Sequence, residues 1–186
     1  MTITNGYLNI IEKTEIFKEI SSYFNGEFSI IHNSGNVLNT LKITIPYNKW
    51  KIVITESDTK PLKFQVDFET QKDYELVLGI EDFLDKMLKK LGLKEIEIGR
   101  EMFDKKYLIQ TNNLLLTKEL LAIDIQNKIL ENNIYSISYL SESKDKKSQL
   151  LTVVSRTLVK KDSYIDLVLL HKMLIDCFSN LKIINN

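Results

Sequence analysis

Two histidines, one cysteine and a few paired carboxylates are the side chains of this sequence with the chemistry for proton transfer, nucleophilic attack or metal binding. His32 and His171 are the groups that titrate near neutrality when unperturbed. A metal pair on a helix needs its second ligand three or four residues away, but Leu167, Val168, Leu174 and Ile175 hold those places around His171. Cys177 lies further on, about 240° around a helix, so the two form no local dyad. A reactive thiolate wants an exposed, electropositive site. Cys177 instead sits between Asp176 and Phe178 in an apolar stretch and reads as a buried, inert thiol. Both histidines read as structural.

The carboxylates offer a rival, enzymatic reading through Asp67, Glu69 or Asp104. Glu81 and Asp85 share a helix face, Asp67 and Glu69 a strand face, and Glu95 and Glu97 another. Each pair also fits solvated surface. Glu81 and Asp82 lie near a helix start, where the dipole favours acids. Asp67 and Glu69 alternate with Phe64, Val66 and Phe68, which puts the acids on the wet face. There is no glycine-rich phosphate loop, nucleophile elbow, zinc-protease helix or calcium loop. No catalytic residue, cofactor site or metal site is legible.

Charge excludes further classes. The 186 residues carry 25 basic and 25 acidic side chains, a formal net charge of zero. A nucleic-acid binder neutralises phosphates with excess Lys and Arg, so nucleic acid is disfavoured, as is an anionic membrane surface. The densest basic stretch, residues 81–106, holds seven basic and seven acidic residues. A lone cysteine permits no intramolecular disulfide, and no apolar run reaches the length of a membrane span. The N-terminal residues lack the pattern of a signal peptide. A reducing, cytoplasmic location is the expectation.

The elements that position these groups follow from hydrophobic period. Residues 9–24 read as an amphipathic helix through Ile10, Phe17, Ile20 and Phe24, capped by Asn9 with Glu12 and stopped by Asn25-Gly26. Strands follow at Phe28–Ile31, at Leu41, Ile43 and Ile45, at Trp50, Ile52 and Ile54, and at Phe64, Val66 and Phe68, with another expected around Leu76 and Leu78. Short connections predict a sequentially paired antiparallel meander with one apolar and one polar face. Residues 81–91 return to helical period, with Gly92 as stop. Ile96 and Ile98, then Tyr107 to Ile109, read as short strands. Residues 115–131 read as one long helix with Leu116, Leu120, Ile123, Asn127 and Leu130 on its stripe. Tyr135, Ile137 and Tyr139 begin a hairpin, with Ser141–Ser148 as its polar loop and a return strand from Leu151 to Val159. A final helix, capped by Asp162 or Ser163, runs to about Leu181 and is apolar nearly all round. The expectation is one α+β domain over residues 1–186, an antiparallel sheet packed against helices, with an N-terminal helix and a long C-terminal helix.

Residues 95–112, Glu-Ile-Glu-Ile-Gly-Arg-Glu-Met-Phe-Asp-Lys-Lys-Tyr-Leu-Ile-Gln-Thr-Asn, form a distinctive stretch. It resembles a segment, Gly-x-x-x-Phe-Asp-x-x-Tyr-Leu-Ile, of a bacterial family of unknown function, and the resemblance covers residues 47–130. It implies bacterial origin and no particular chemistry. Physically the stretch reads as a corner. Gly99 permits a bend, Phe103 packs, Asp104 bonds backbone groups, and Tyr107 and Ile109 return to the sheet. The order of elements is also similar to secretion-chaperone-like folds, with extra elements between residues 70 and 133. The functional expectation is a non-enzymatic protein-interaction module that binds another protein or itself. Tyr47 and Trp50 on a hairpin, and Met173 and Phe178 on the last helix, are the candidate interaction surface, and the last helix is a candidate homodimer seam. The alternatives are a secretion-chaperone-like protein, or a small apolar ligand held among Trp50, Phe64, Phe68 and Phe178.

Overall fold

The computed structural model describes residues 10–32, 39–57, 59–80, 93–142, 146–154 and 160–185. The elements are α1 (Ile10–Tyr23), β1 (Glu27–His32), β2 (Asn39–Tyr47), β3 (Trp50–Ser57), β4 (Lys63–Glu69), β5 (Leu76–Gly79), β6 (Lys94–Ile96), α2 (Glu101–Asp104), β7 (Leu108–Thr111), α3 (Leu114–Leu120), α4 (Ile123–Glu131), β8 (Ile134–Glu142), β9 (Lys147–Val154) and α5 (Lys161–Asn180). The nine strands form one sheet in the order β1-β2-β3-β4-β9-β8-β5-β7-β6, every neighbouring pair antiparallel. The α+β class, the N-terminal helix and the long C-terminal helix are as the sequence predicts. The expected helix over 81–91, its Gly92 stop and the Asn9 cap lie outside the described residues.

The first four strands pair in sequence, and period-two alternation gives β2, β3 and β4 one buried face. Leu41, Ile43 and Ile45 on β2, Ile52 and Ile54 on β3, and Phe64, Val66 and Phe68 on β4 are buried against the helices. The turn into β1 needs a glycine for space. A Cβ on Gly26 would lie 2.8 Å from the Thr44 carbonyl oxygen and 3.1 Å from Ile45 Cγ1.

Sequential pairing ends at β4, whose seven residues pair along β9 from Lys63↔Val153 to Glu69↔Lys147. The chain then leaves the sheet. The Thr70 N–H donates to the Lys146 carbonyl, and the Gln71 N–H to the Ile183 carbonyl. It returns as β5 between β8 and β7. β5 has four residues, all buried, against the one wet face expected of a meander. A four-residue strand offers β4 a far shorter ladder than β9 does, and β5 gains by pairing on both sides. The β8–β9 hairpin is also longer than expected, pairing as far as Glu142↔Lys147 inside the stretch read as a loop.

The helix expected over 115–131 is two helices. Leu121 (φ −86°, ψ 51°) and Ala122 (φ −57°, ψ 161°) leave helical geometry. The Leu121 carbonyl released by the break accepts a bond from Gln126 Nε2 at 2.7 Å. The break rotates the buried face. Leu120 and Leu121 both go inside, followed by Ile125 and Ile129, while Ile123 is 60% exposed instead of core-facing. Asn113 caps α3 by accepting from the Leu116 N–H at 3.1 Å. α5 starts at Lys161 without a side-chain cap, so neither Asp162 nor Ser163 serves; Asp162 falls in the first turn, where the helix dipole favours it. Tyr164, Leu167, Val168, Leu170, His171, Leu174, Ile175 and Phe178 of α5 are buried.

Candidate functional site

His171 is fully buried and satisfied. Its Nδ1 donates to the Leu167 carbonyl at 2.7 Å, which makes Nε2 the acceptor for the Thr152 hydroxyl at 2.9 Å. The ring stacks on Phe64 with centroids 4.5 Å apart and planes 14° from parallel. Burial pushes its pKa down from 6.5 to about 4. It is a neutral core residue with both nitrogens engaged. Cys177 is half-buried, and burial, then the Asp176 charge, raises its thiol pKa, the wrong direction for a nucleophile.

The carboxylates of the enzymatic reading do not converge. Asp67 lies on the face away from the helices and accepts from Gln65 and Gln149 amides. Exposed Glu69 accepts from Asn185. Asp104 is taken up by the corner: Oδ1 accepts from the Ile98 N–H at 2.9 Å and Oδ2 from the Gly99 N–H at 2.8 Å. Gly99 has φ +96° and Phe103 is buried. His32 is exposed beside Asn39, 2.9 Å from its side-chain oxygen. Among the described residues, no three His, Cys, Asp or Glu side chains gather as a metal site would require.

Tyr47 and Trp50 are directly paired across the β2–β3 turn, where Asn48 takes φ 52°. The Tyr47 hydroxyl donates to Asp176 Oδ2 at 2.7 Å; burial and that carboxylate push its pKa up to about 12. Trp50 meets Phe68 edge-on at 5.0 Å, and Lys49 Nζ sits 4.7 Å above the indole. Asn48, Lys49, Trp50, Asp176, Ser179 and Asn180 border a cleft of about 550 Å³. Met173 is half-buried against the core.

Phe178, named with these as interaction surface, is 0% exposed. It lies 4.6 Å from Tyr139 and 5.9 Å from Phe68 by ring centroids, so it packs the interior and not a surface. Phe64, Phe68 and Phe178 are likewise buried, Phe68 against Trp50 and Phe64 against His171. Phe68 borders a separate cleft of about 350 Å³ with Asp67, Leu140, Lys147, Ser148 and Gln149, so the four aromatics share no one pocket. The solvent stripe of α5 carries Asp166, Lys172 and Asp176 beside Leu169, its one strongly exposed large apolar residue at 42%. Half-buried Ile165, Met173 and Cys177 lie on the same stripe, which therefore mixes charged and apolar side chains.

Two features escaped the sequence reading. Glu56 continues the inward parity of Ile52 and Ile54. It is buried, accepting from Lys13 Nζ at 2.7 Å and from the Tyr164 hydroxyl at 2.9 Å. That parity was the available signal. The other is β1, one end of the sheet among the described residues. Ile30 and Ile31 are adjacent, so a strand places them on opposite faces and a one-sided core cannot bury both. They are 38% and 42% exposed.

The fold and this site define an open antiparallel sheet packed against helices, with its buried ionisable groups His171 and Glu56 tying elements together. No family model matches the chain, and no curated protein matches it. A solved structure does: the crystal structure of the mycobacterial trehalose monomycolate transport factor A, TtfA, superposes with a TM-score of 0.60 over 93% of this chain and 98% of that one. Identity is 7%, so the likeness is one of fold. No helix among the described residues is long and apolar enough to cross a membrane.

Proposed function

We propose that this chain is a non-enzymatic protein-binding module that takes an extended segment onto the free edge of β1. One observation carries the reading: the two ends of the sheet are built differently. β6, at one end, has three residues, of which Lys94 and Glu95 are exposed, the short charged edge by which sheets refuse a further strand. β1, at the other end, has six residues, with neither charge nor proline between Phe28 and Ile31. An added strand gains main-chain hydrogen bonds there and covers Ile30 and Ile31. The mycobacterial protein of this fold is a transport factor, and an accessory role in transport is compatible with a chain that binds and does not convert.

The test is a photo-crosslinking amino acid placed at Ile31 or at Glu95 in the cell. Defined protein adducts are expected from position 31, absent from 95, and lost when Ile30→Lys is added. No adduct at 31, or equal adducts at both, refutes the reading.

A second reading rests on the cleft beside Trp50, whose mixed lining suits a polar-headed ligand more than a wholly apolar one. Trp50 is the sole tryptophan, so its fluorescence reports on that cleft directly. Unchanged emission on titration with trehalose and with a long-chain fatty acid removes this reading.

A further inference from the structure

We propose that the segment seated on β1 is β1 of a second copy of the chain, paired antiparallel about a two-fold axis through Ile30. The inference rests on the reading of β1 as a docking edge and names its occupant. Directly paired residues on an antiparallel ladder share a face of the sheet. The pairing of Phe28 with Ile43 and of Ile30 with Leu41 puts Phe28, Ile30 and His32 on the helix side, and Ser29 and Ile31 on the other. With a two-fold axis normal to the sheet, helix-side residues must meet helix-side residues. The axis therefore passes through a residue and not between two, and the six-residue strand overlaps its copy most fully when that residue is Ser29 or Ile30.

Centred on Ser29, the pairing sets Phe28 against Ile30 but also the Glu27 carboxylate against Ile31 on both sides of the axis. Centred on Ile30, it sets Ile30 against its own copy, Phe28 against His32 and Ser29 against Ile31. The second register matches apolar with apolar at the axis and leaves no carboxylate against an isoleucine. A two-fold axis sets Ile30 against Ile30 in every such pair.

The helix above the edge fits the same axis. α1 packs over β1 and β2, with Phe17 edge-on to Phe28 at 6.5 Å. Strands lie about 4.8 Å apart, so the two-fold places the two α1 axes roughly 10–14 Å from each other. That is near the distance at which helices pack. Lys13 and Glu19 of α1 turn toward α5 and β3, through Tyr164's partner Glu56 and through Lys161. At about 100° per residue, Ile11 and Lys18 then flank the opposite side, over the free edge. Ile11 is 70% exposed, and the second α1 would cover it. A six-residue edge with one helix flank is smaller than a standard interface of about 1,600 Å², so association is a concentration-dependent equilibrium.

Sedimentation equilibrium of the full chain from about 1 to 200 µM is the test, spanning the micromolar range expected of a small interface. The average mass is expected to climb toward twice the monomer's. Ile30→Lys alone and Ile30→Glu alone are expected to weaken association at least about tenfold, a change of roughly 1.4 kcal/mol. An equimolar mixture of the two is expected to restore it, because the axis sets the lysine opposite the glutamate. Unchanged far-ultraviolet circular dichroism and melting confirm that both variants fold. A wild-type mass independent of concentration overturns the proposal, as does a mixture that stays monomeric. A monomer that still gives crosslinks to a different protein from position 31 removes the second copy and leaves the docking edge standing. A monomer without adducts removes both.

Discussion

Lowering the pH from 7 to 5 should destabilise this protein through His171 specifically. The neutral ring is held by the Leu167 carbonyl and the Thr152 hydroxyl, and burial lowers its pKa to about 4 from 6.5. Above pH 6.5 both the folded and unfolded states hold it neutral, and it adds no pH dependence. Between 6.5 and 4 the unfolded chain takes up a proton that the folded chain refuses, so stability falls as pH falls; below 4 the loss levels off. At about 1.4 kcal/mol per pH unit the full loss is about 3 kcal/mol, and at pH 5 roughly 2 kcal/mol. For a chain of this length that lowers Tm by about 4–8 °C. Urea unfolding at pH 7 and 5 measures it, compared with a His171→Phe/Thr152→Val double variant that keeps a ring against Phe64 and removes the titrating group. Carboxylates titrate alike in both proteins and cancel. If wild type and double variant lose the same stability between the two pH values, the buried neutral histidine is wrong.

Removing the Glu56 carboxylate with Glu56→Ala leaves the Lys13 ammonium, 12% exposed, without its partner, and should cost about 3 kcal/mol. Tyr164→Phe, which deletes one hydrogen bond to the same carboxylate, should cost about 1 kcal/mol; urea titrations of the two singles and the double give the coupling. Asp104→Ala frees the Ile98 and Gly99 N–H groups and should cost about 1–2 kcal/mol, with faster hydrogen exchange at those two amides and less effect from Asp104→Asn.

What the sequence disclosed and what it hid divide along physical lines. β2, β3 and β4 were legible because one face is wet and the other dry, which writes a period of two into the residues. The 98–107 corner was legible because Gly99 and Asp104 are local turn chemistry, and the satisfied His171 because no ligand partner lies at helical spacing. β5 was legible only as a weak strand, since four residues buried on both faces carry no alternation. Its place between β8 and β7 depends on ladder lengths far apart in the chain, which no local pattern encodes. The break at Leu121-Ala122 was hidden because both residues are acceptable in a helix; the need to bury Leu120, Leu121, Ile125 and Ile129 together decides it. Glu56 was overlooked by residue type, although its parity with Ile52 and Ile54 pointed inward.

The side chains of α5 that look most like chemistry explain how one helix is held at one place on a wide sheet. Tyr164 reaches Glu56 on β3, His171 reaches Thr152 on β9 and stacks on Phe64 of β4, and Asp176 reaches Tyr47 on β2. Apolar contact alone would let the helix slide or rotate against a face of interchangeable Ile and Leu at small cost, because dispersion is not directional. A displaced α5 would leave the buried histidine and the Glu56 carboxylate short of partners, and an unsatisfied buried polar group costs more than the net gain of making its bond. These residues thus fix one arrangement out of several that the apolar core would accept. The ionisable groups of α5 and of the strands beneath it are thus committed to one another, while β1 ends the sheet among the described residues with two partly exposed isoleucines.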